Sequence, residues 1–209
     1  MQWVEAARGD LTHALVFVGL TVAIGFVLQI PRLARDQDFL SHAASMGAFK
    51  LVALVAAAAI IHGLFRLLRG RAAFAATFAA YLYLASPLYL ALLLVHLAGE
   101  GIVRAYDPAL IDATRLDPLY FANHPDEARR FLAAAPGLAW AYGALVWVRL
   151  LAIAGWCVAC WGAFRMLHGV GRWRSLAAGV ASAVAILLCF SALDYLLLGM
   201  FGVRMPPLM

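Results

Sequence analysis

Charged residues are scarce in this chain. They make up 13% of the 209 positions, against 66% hydrophobic residues, and the mean hydropathy is +0.89. Soluble globular domains carry about 25% charged residues. The scarcity of charge excludes a soluble domain, and the abundance of apolar residues predicts an integral membrane protein.

Enzyme signatures are missing as well. The sequence contains no G-x-S-x-G, H-E-x-x-H, P-loop or dinucleotide-binding motif. Cys157 and Cys160 form a C-x-x-C pair, but it lies inside a predicted membrane helix, whereas a redox-active pair needs an exposed helix N-terminus. The acidic residues near His124 lack the spacing of metal ligands. We therefore expect no catalysis, no metal and no cofactor.

Five apolar stretches are long enough to cross a bilayer, which takes about 20 residues per helix. They cover residues 12–31, 48–65, 72–98, 137–164 and 176–203. They predict an all-α integral membrane bundle of five transmembrane helices, in a single transmembrane domain of residues 1–209. Between the third and fourth spans, residues 99–136 are predicted to form short helices on the extracytoplasmic face, with starts at Asp107-Pro108, Asp117-Pro118 and Pro125.

The arginines predict the orientation, because cytoplasmic loops retain basic residues. Six arginines and no acidic residue surround the connections after the second and fourth spans: Arg66, Arg69, Arg71, Arg165, Arg172 and Arg174. We expect these connections and the N-terminus in the cytoplasm, and the C-terminus and the acidic segment 99–136 outside. The net charge of +5 then reflects topology, and no nucleic-acid partner is expected.

A short motif occurs twice and predicts an internal repeat. The pattern G-x-F-R-x-L-[R/H]-G occupies residues 63–70 and returns, 99 positions later, at residues 162–169. The same offset pairs Lys50 with Arg149. We interpret spans two and three, and spans four and five, as two parallel-repeat hairpins related by an axis near the membrane normal. We expect Gly70 and Gly169 to take the left-handed position that ends a helix. Alternatively, the two connections that contain these glycines, which we call the corners, also bind lipid headgroups or a cytoplasmic partner.

Ionisable residues inside the spans are the candidate site, because a charge near the bilayer centre costs at least ~2.5 kcal/mol and needs a partner or water. They are Lys50, Arg149, Asp194, His96 and His62. Counting along the helices at 1.5 Å per residue places Lys50 and Arg149 near the outer boundary and lets Asp194 meet Arg149. Lys50 would pair with His96 or Glu100. These residues either anchor the helices and set their register, or line a cleft between the repeats that attracts an anionic lipid group.

The first corner also resembles a known family. The run Phe65 to Phe74, continuing to Tyr81 and Ser86-Pro87, is similar to the Yip family of five-span membrane proteins. The resemblance implies a cytoplasmic N-terminus and names no catalytic residue. Eukaryotic members contact Rab GTPases, but the Asp-Leu-Tyr-Gly-Pro motif of those members is absent and about eleven residues precede the first span, so Rab binding is not implied. The composition fits a member in a bacterial inner membrane.

Three functions are compatible with these features. The first is a non-catalytic membrane scaffold, assembly or trafficking-like factor. The second is binding or translocation of a lipid or amphipathic anion in a cleft between the repeats, which a cavity lined by Lys50 and Arg149 would favour. The third is an accessory subunit of a larger membrane complex. The partners expected are membrane lipids, with a second copy of the chain or other membrane proteins as alternatives.

Overall fold

A computed structural model of the protein describes the backbone of residues 11–33, 39–111, 114 and 120–201, and the side chains of residues 11–29, 51–111, 114, 120–189 and 191–192. This part of the chain is all-α, as predicted, and forms seven α-helices. They are α1 (Leu11–Leu33), α2 (Phe39–Leu67), α3 (Phe74–Tyr106), α4 (Tyr120–Asn123), α5 (Pro125–Ala134), α6 (Pro136–His168) and α7 (Arg172–Phe201), with a 3-10 turn at Pro108–Leu110.

Four helical segments in the described residues are long and apolar enough to cross a membrane. They are Leu11–Gln29, Phe74–Tyr106, Pro136–His168 and Arg172–Cys189. The predicted span 48–65 lies on α2, whose described apolar segment, Leu51–Leu67, is shorter than these four. A multi-pass helical architecture is thus observed, and a fifth span and the repeat hairpins stay predictions.

The segment after the third span differs from its prediction at one end. Residues 99–106 continue α3 for two more turns, although Glu100 and Arg104 had marked them as a connection. Asp107 caps the 3-10 turn as predicted, since its Oδ1 accepts a hydrogen bond of 2.9 Å from the Ala109 amide. Helix α5 starts at Pro125 as predicted. The helix start expected at Asp117-Pro118 lies outside the described residues.

The chain divides into two compact units. Unit one comprises Met1–Pro87 and Cys157–Met209, and unit two comprises Leu88–Trp156. Helices α3 and α6 each have one part in unit one and the other part in unit two.

Unit one is built around two clusters of buried apolar side chains. In the first, Ala14 of α1 and Ala58 of α2 pack with α3 residues Phe78, Ala79 and Leu82. The second joins α2, α6 and α7 through Ile61, Phe65, Phe164, Val170 and Ala178. Alanines in these contacts let helix backbones approach closely, which is how helices pack in lipid.

Unit two is held together by aromatic side chains. Phe131 of α5 is buried, and its ring centroid lies 4.4 Å from that of Tyr106 and 5.0 Å from that of Phe121. The Phe121 ring meets Tyr142 of α6 edge-on at 5.2 Å. Aromatic pairs at these distances are favourable beyond their buried area. They fasten the short helices α4 and α5 to the ends of α3 and α6.

Candidate functional site

The connection between α2 and α3 ends α2 with a Schellman motif. Arg69 has a left-handed backbone, with φ of 69°. Its amide donates to the Arg66 carbonyl at 3.0 Å, and the Gly70 amide donates to the Phe65 carbonyl at 2.8 Å. These two bonds satisfy carbonyls that the end of a helix leaves without partners.

The connection between α6 and α7 carries the same motif. Gly169 is left-handed, with φ of 64°. Its amide donates to Met166 at 3.3 Å, and the Val170 amide donates to the Arg165 carbonyl at 3.2 Å. Each bond lies 100 residues after its counterpart in the first connection, whereas the sequence motif repeats after 99.

The prediction that both glycines take the left-handed position is therefore right for Gly169 and wrong for Gly70. Gly70 is needed for a different reason, which is space. A Cβ atom on Gly70 would lie 2.6 Å from His168 Nδ1 and 2.7 Å from the Phe65 carbonyl oxygen. The first connection packs directly on the second at this point, and the Arg71 amide donates to the His168 carbonyl at 3.2 Å.

A threonine hydroxyl beneath the two connections joins them. Thr77 Oγ1 lies 3.1 Å from His62 Nδ1, 3.1 Å from His168 Nε2 and 3.2 Å from the Ala73 carbonyl oxygen. One hydroxyl has one proton to donate and two lone pairs. All three contacts are satisfied when Thr77 donates to Ala73 and accepts from both imidazoles. His168 is 1% exposed, and its Nδ1 has no hydrogen-bond partner among the described residues.

The second connection has a smaller version of this contact. Trp161 Nε1 donates to Ser175 Oγ at 2.9 Å, and Ser175 Oγ donates to the Arg172 carbonyl at 2.8 Å. His62 and Trp161 are 99 residues apart, each directly before its copy of the motif, so in both copies a ring nitrogen at this place contacts a buried hydroxyl in the next helix.

We call the six arginines on and beside these joined connections the arginine corner: Arg66, Arg69, Arg71, Arg165, Arg172 and Arg174. All are exposed except Arg165, whose guanidinium carbon lies 6.0 Å from the Trp161 ring centroid. The described side chains of unit one include no aspartate or glutamate. The sequence identified these arginines but missed Thr77 and His168, whose contact spans 91 positions.

Unit two contains a second candidate site, a pocket of about 50 Å³ between α3 and α6. We call it the Arg149 pocket. Its lining residues are Val95, His96, Gly99, Glu100, Val103, Thr114, Tyr142, Leu145, Val146 and Arg149. The structure thus brings together two of the predicted candidates, His96 and Arg149.

The pocket contains charge of both signs. Glu100 is 7% exposed, and its Oε1 lies 3.4 Å from His96 Nε2, one helical turn away. Sequence reasoning considered Glu100 only as a partner for Lys50, and it missed Thr114 and Tyr142. Helical spacing was a usable signal, because Tyr142 and Arg149 are two turns apart on one face of α6.

The other two predicted site residues lie outside the described side chains. Lys50 belongs to α2 and Asp194 to α7. The pairing of Arg149 with Asp194, and of Lys50 with His96 or Glu100, stays a prediction.

The apolar helices and their packing define the chain as a multi-pass helical membrane protein. A family model described as the Yip1 domain matches residues 1–193, and the chain belongs to the Yip family, as its first corner indicated. The family is generally non-enzymatic. No curated protein and no solved structure matches the chain.

Proposed function

We propose that this Yip family member is a non-catalytic scaffold, an assembly or trafficking-like factor that binds a partner protein at the arginine corner. The observation that carries the proposal is the joining of the two arginine-bearing connections by Gly70, Thr77 and His168. We place the protein in a bacterial inner membrane, with the corner and the N-terminus cytoplasmic and the C-terminus extracytoplasmic, on the strength of the arginine distribution.

The charge of the corner supports a partner with an acidic face. Five of the six arginine side chains are exposed, and the described side chains of unit one contain no carboxylate to neutralise them. A cluster of one sign attracts a complementary surface and speeds encounter with it.

The rigidity of the corner supports the same function. Both connections end their helices with Schellman motifs, and a buried hydrogen bond of Thr77 to His168 ties the second connection to the first. A surface that is already ordered loses less conformational entropy on binding than a loose loop. The corner therefore suits a docking site better than two independent turns would.

Photo-crosslinking in cells tests this proposal. Trp173 lies between Arg172 and Arg174 and is 83% exposed, so a photo-crosslinking amino acid in its place should yield a discrete protein adduct. The double substitution Arg172→Gln and Arg174→Gln should remove the adduct. Arg129→Gln with Arg130→Gln is the matched control, because these arginines are exposed on α5 of unit two. An adduct that persists without Arg172 and Arg174, or no protein adduct at all, would contradict the proposal.

The Arg149 pocket favours a second function. That function is the binding or translocation of a phospholipid. The pocket lies between α3 of the first predicted hairpin and α6 of the second, and it combines Arg149 with His96. A guanidinium recognises phosphate with two parallel hydrogen bonds.

Native mass spectrometry of the detergent-extracted protein tests this second function and reads the oligomeric state at the same time. The parent protein should retain phospholipid, and Arg149→Gln should lose most of it. Arg104→Gln is the control, because Arg104 is exposed on α3 and does not line the pocket. Equal retention by both variants would rule out the Arg149 pocket as the binding site.

A further inference from the structure

We propose that the Arg149 pocket selects a phospholipid with a zwitterionic phosphoethanolamine headgroup. The phosphate would lie against Arg149 and the primary ammonium against Glu100. The inference rests on the phospholipid-binding function proposed above, and it adds the class of lipid.

The buried carboxylate is the first argument. Glu100 lines the same small pocket as Arg149 and is almost fully shielded from solvent. Although Glu100 also contacts His96, its carboxylate repels phosphate and favours ligands that bring a positive group. A cation and an anion in one pocket complement a ligand that carries both charges a few atoms apart.

The chemistry of the lining favours a primary ammonium over a quaternary one. A primary ammonium has three N–H donors, and three of the residues that line the pocket carry side-chain oxygens: Glu100, Thr114 and Tyr142. Quaternary ammonium groups are recognised instead by cages of several aromatic rings. Tyr142 is the single tyrosine, phenylalanine or tryptophan among the described residues that line the pocket. Choline lipids therefore fit it less well.

The position of the pocket along α6 suits a headgroup. Trp140 and Trp147 lie two turns apart on α6 and are 74% and 68% exposed, and exposed tryptophans mark the level of lipid headgroups. Arg149 follows Trp147 by two residues and lies sixteen residues before Arg165, or about 24 Å along the helix. That length is close to the hydrocarbon thickness of about 30 Å.

Apolar surface for the acyl chains adjoins the pocket residues in sequence. Leu94 of α3 precedes Val95, Val148 of α6 precedes Arg149, and Leu151 follows Arg149 by two residues; all three side chains are exposed. A phospholipid seated by its headgroup thus has exposed side chains of both helices for its tails.

The test is competition for retention in native mass spectrometry. The protein is exchanged into an equimolar mixture of phosphatidylethanolamine, phosphatidylglycerol and phosphatidylcholine with identical acyl chains. The parent protein should retain phosphatidylethanolamine at least about fivefold over either competitor, since one additional charge-assisted contact supports a difference of that order. Glu100→Gln should abolish the preference over phosphatidylglycerol while retaining lipid. Glu127→Gln, on α5 and outside the lining of the pocket, should keep the parent's preference.

The outcomes separate this inference from the function on which it rests. If the parent retains no phospholipid, or Arg149→Gln retains as much as the parent, the phospholipid-binding function fails. If lipid is retained through Arg149 without a headgroup preference, or the preference survives Glu100→Gln, only the headgroup assignment fails. The parent's own preference is measured without any substitution, so the test stands even if Glu100→Gln does not fold.

Discussion

The two connections of the arginine corner have similar sequences but different structures. In the first, Arg69 takes the left-handed position and Gly70 makes room for His168. In the second, Gly169 takes the left-handed position and has no atom within 4 Å of where its Cβ would lie. A glycine at the same place in a repeated motif thus serves packing in one copy and backbone conformation in the other.

The buried hydroxyl groups of Thr77 and Ser175 also differ in the residues that they contact, and again only the first connection contacts the other one. Ser175 contacts one ring, Trp161, within its own pair of helices. Thr77 contacts His62 in its own pair and also His168 of the other connection. Thr77 therefore links the first connection to the second. Ser175 makes no corresponding hydrogen bond to the first connection among the described residues. Substitutions in the first connection should cost more than their counterparts in the second.

The largest effect is expected for Gly70→Ala. The added methyl group meets a backbone carbonyl and a buried ring, so the two connections must move apart, at a cost of about 2 to 3 kcal/mol in the free energy of unfolding. Gly169→Ala should cost about 1 kcal/mol, because only the left-handed conformation is strained. Thermal unfolding of both variants in the same detergent measures the difference. Equal losses would mean that the two glycines have the same function.

A smaller effect is expected for Thr77→Val, which keeps the side-chain shape and removes the hydroxyl. Two imidazole nitrogens lose their partner, and the free energy of unfolding should fall by about 2 kcal/mol. Ser175→Ala, which deprives one Trp161 nitrogen of its acceptor, should cost about 1 kcal/mol. Thr77→Ser retains the hydroxyl and serves as the control. A loss for Thr77→Val no larger than for Ser175→Ala would contradict the joining role of Thr77.

The smallest effect, a gain, is expected for Arg69→Gly. A residue with a side chain is strained at φ of 69°, and glycine removes that strain, so stability should rise by about 0.5 kcal/mol. Arg71→Gly is the control, because Arg71 is not left-handed and glycine there should give no gain. If Arg69→Gly lowers the melting temperature, contacts of the Arg69 side chain outweigh the backbone strain.

Local features of the sequence predicted much of the fold. Long apolar stretches coincide with α1, α3, α6 and α7, because hydropathy and length are properties of each segment alone. The Asp107 cap and the start of α5 at Pro125 were also predictable, since they depend on adjacent residues. The end of α3 was not, because the charges of Glu100 and Arg104 indicate a connection, whereas the helix continues through both residues.

The candidate site was predictable in part. His96 and Arg149 were identified as ionisable residues in apolar segments, and the structure places them in one pocket. Tyr142 was predictable from its spacing of two turns from Arg149 on α6, but Thr114 was not, since it lies on neither α3 nor α6 and no sequence feature places it near His96. The offset of 99 was likewise misleading, because a pattern of letters does not say which residue of a motif becomes left-handed.

The sequence by itself determined that this protein belongs in a lipid membrane, that it is helical and that its arginines cluster at two connections. These properties follow from composition and from residues close together in the chain. Only the tertiary structure decided that Gly70 packs on His168, that Thr77 meets two imidazoles, and that Glu100 shares a pocket with Arg149. The physical reason is that each of these contacts joins residues from different helices or connections, and its geometry depends on how the helices pack.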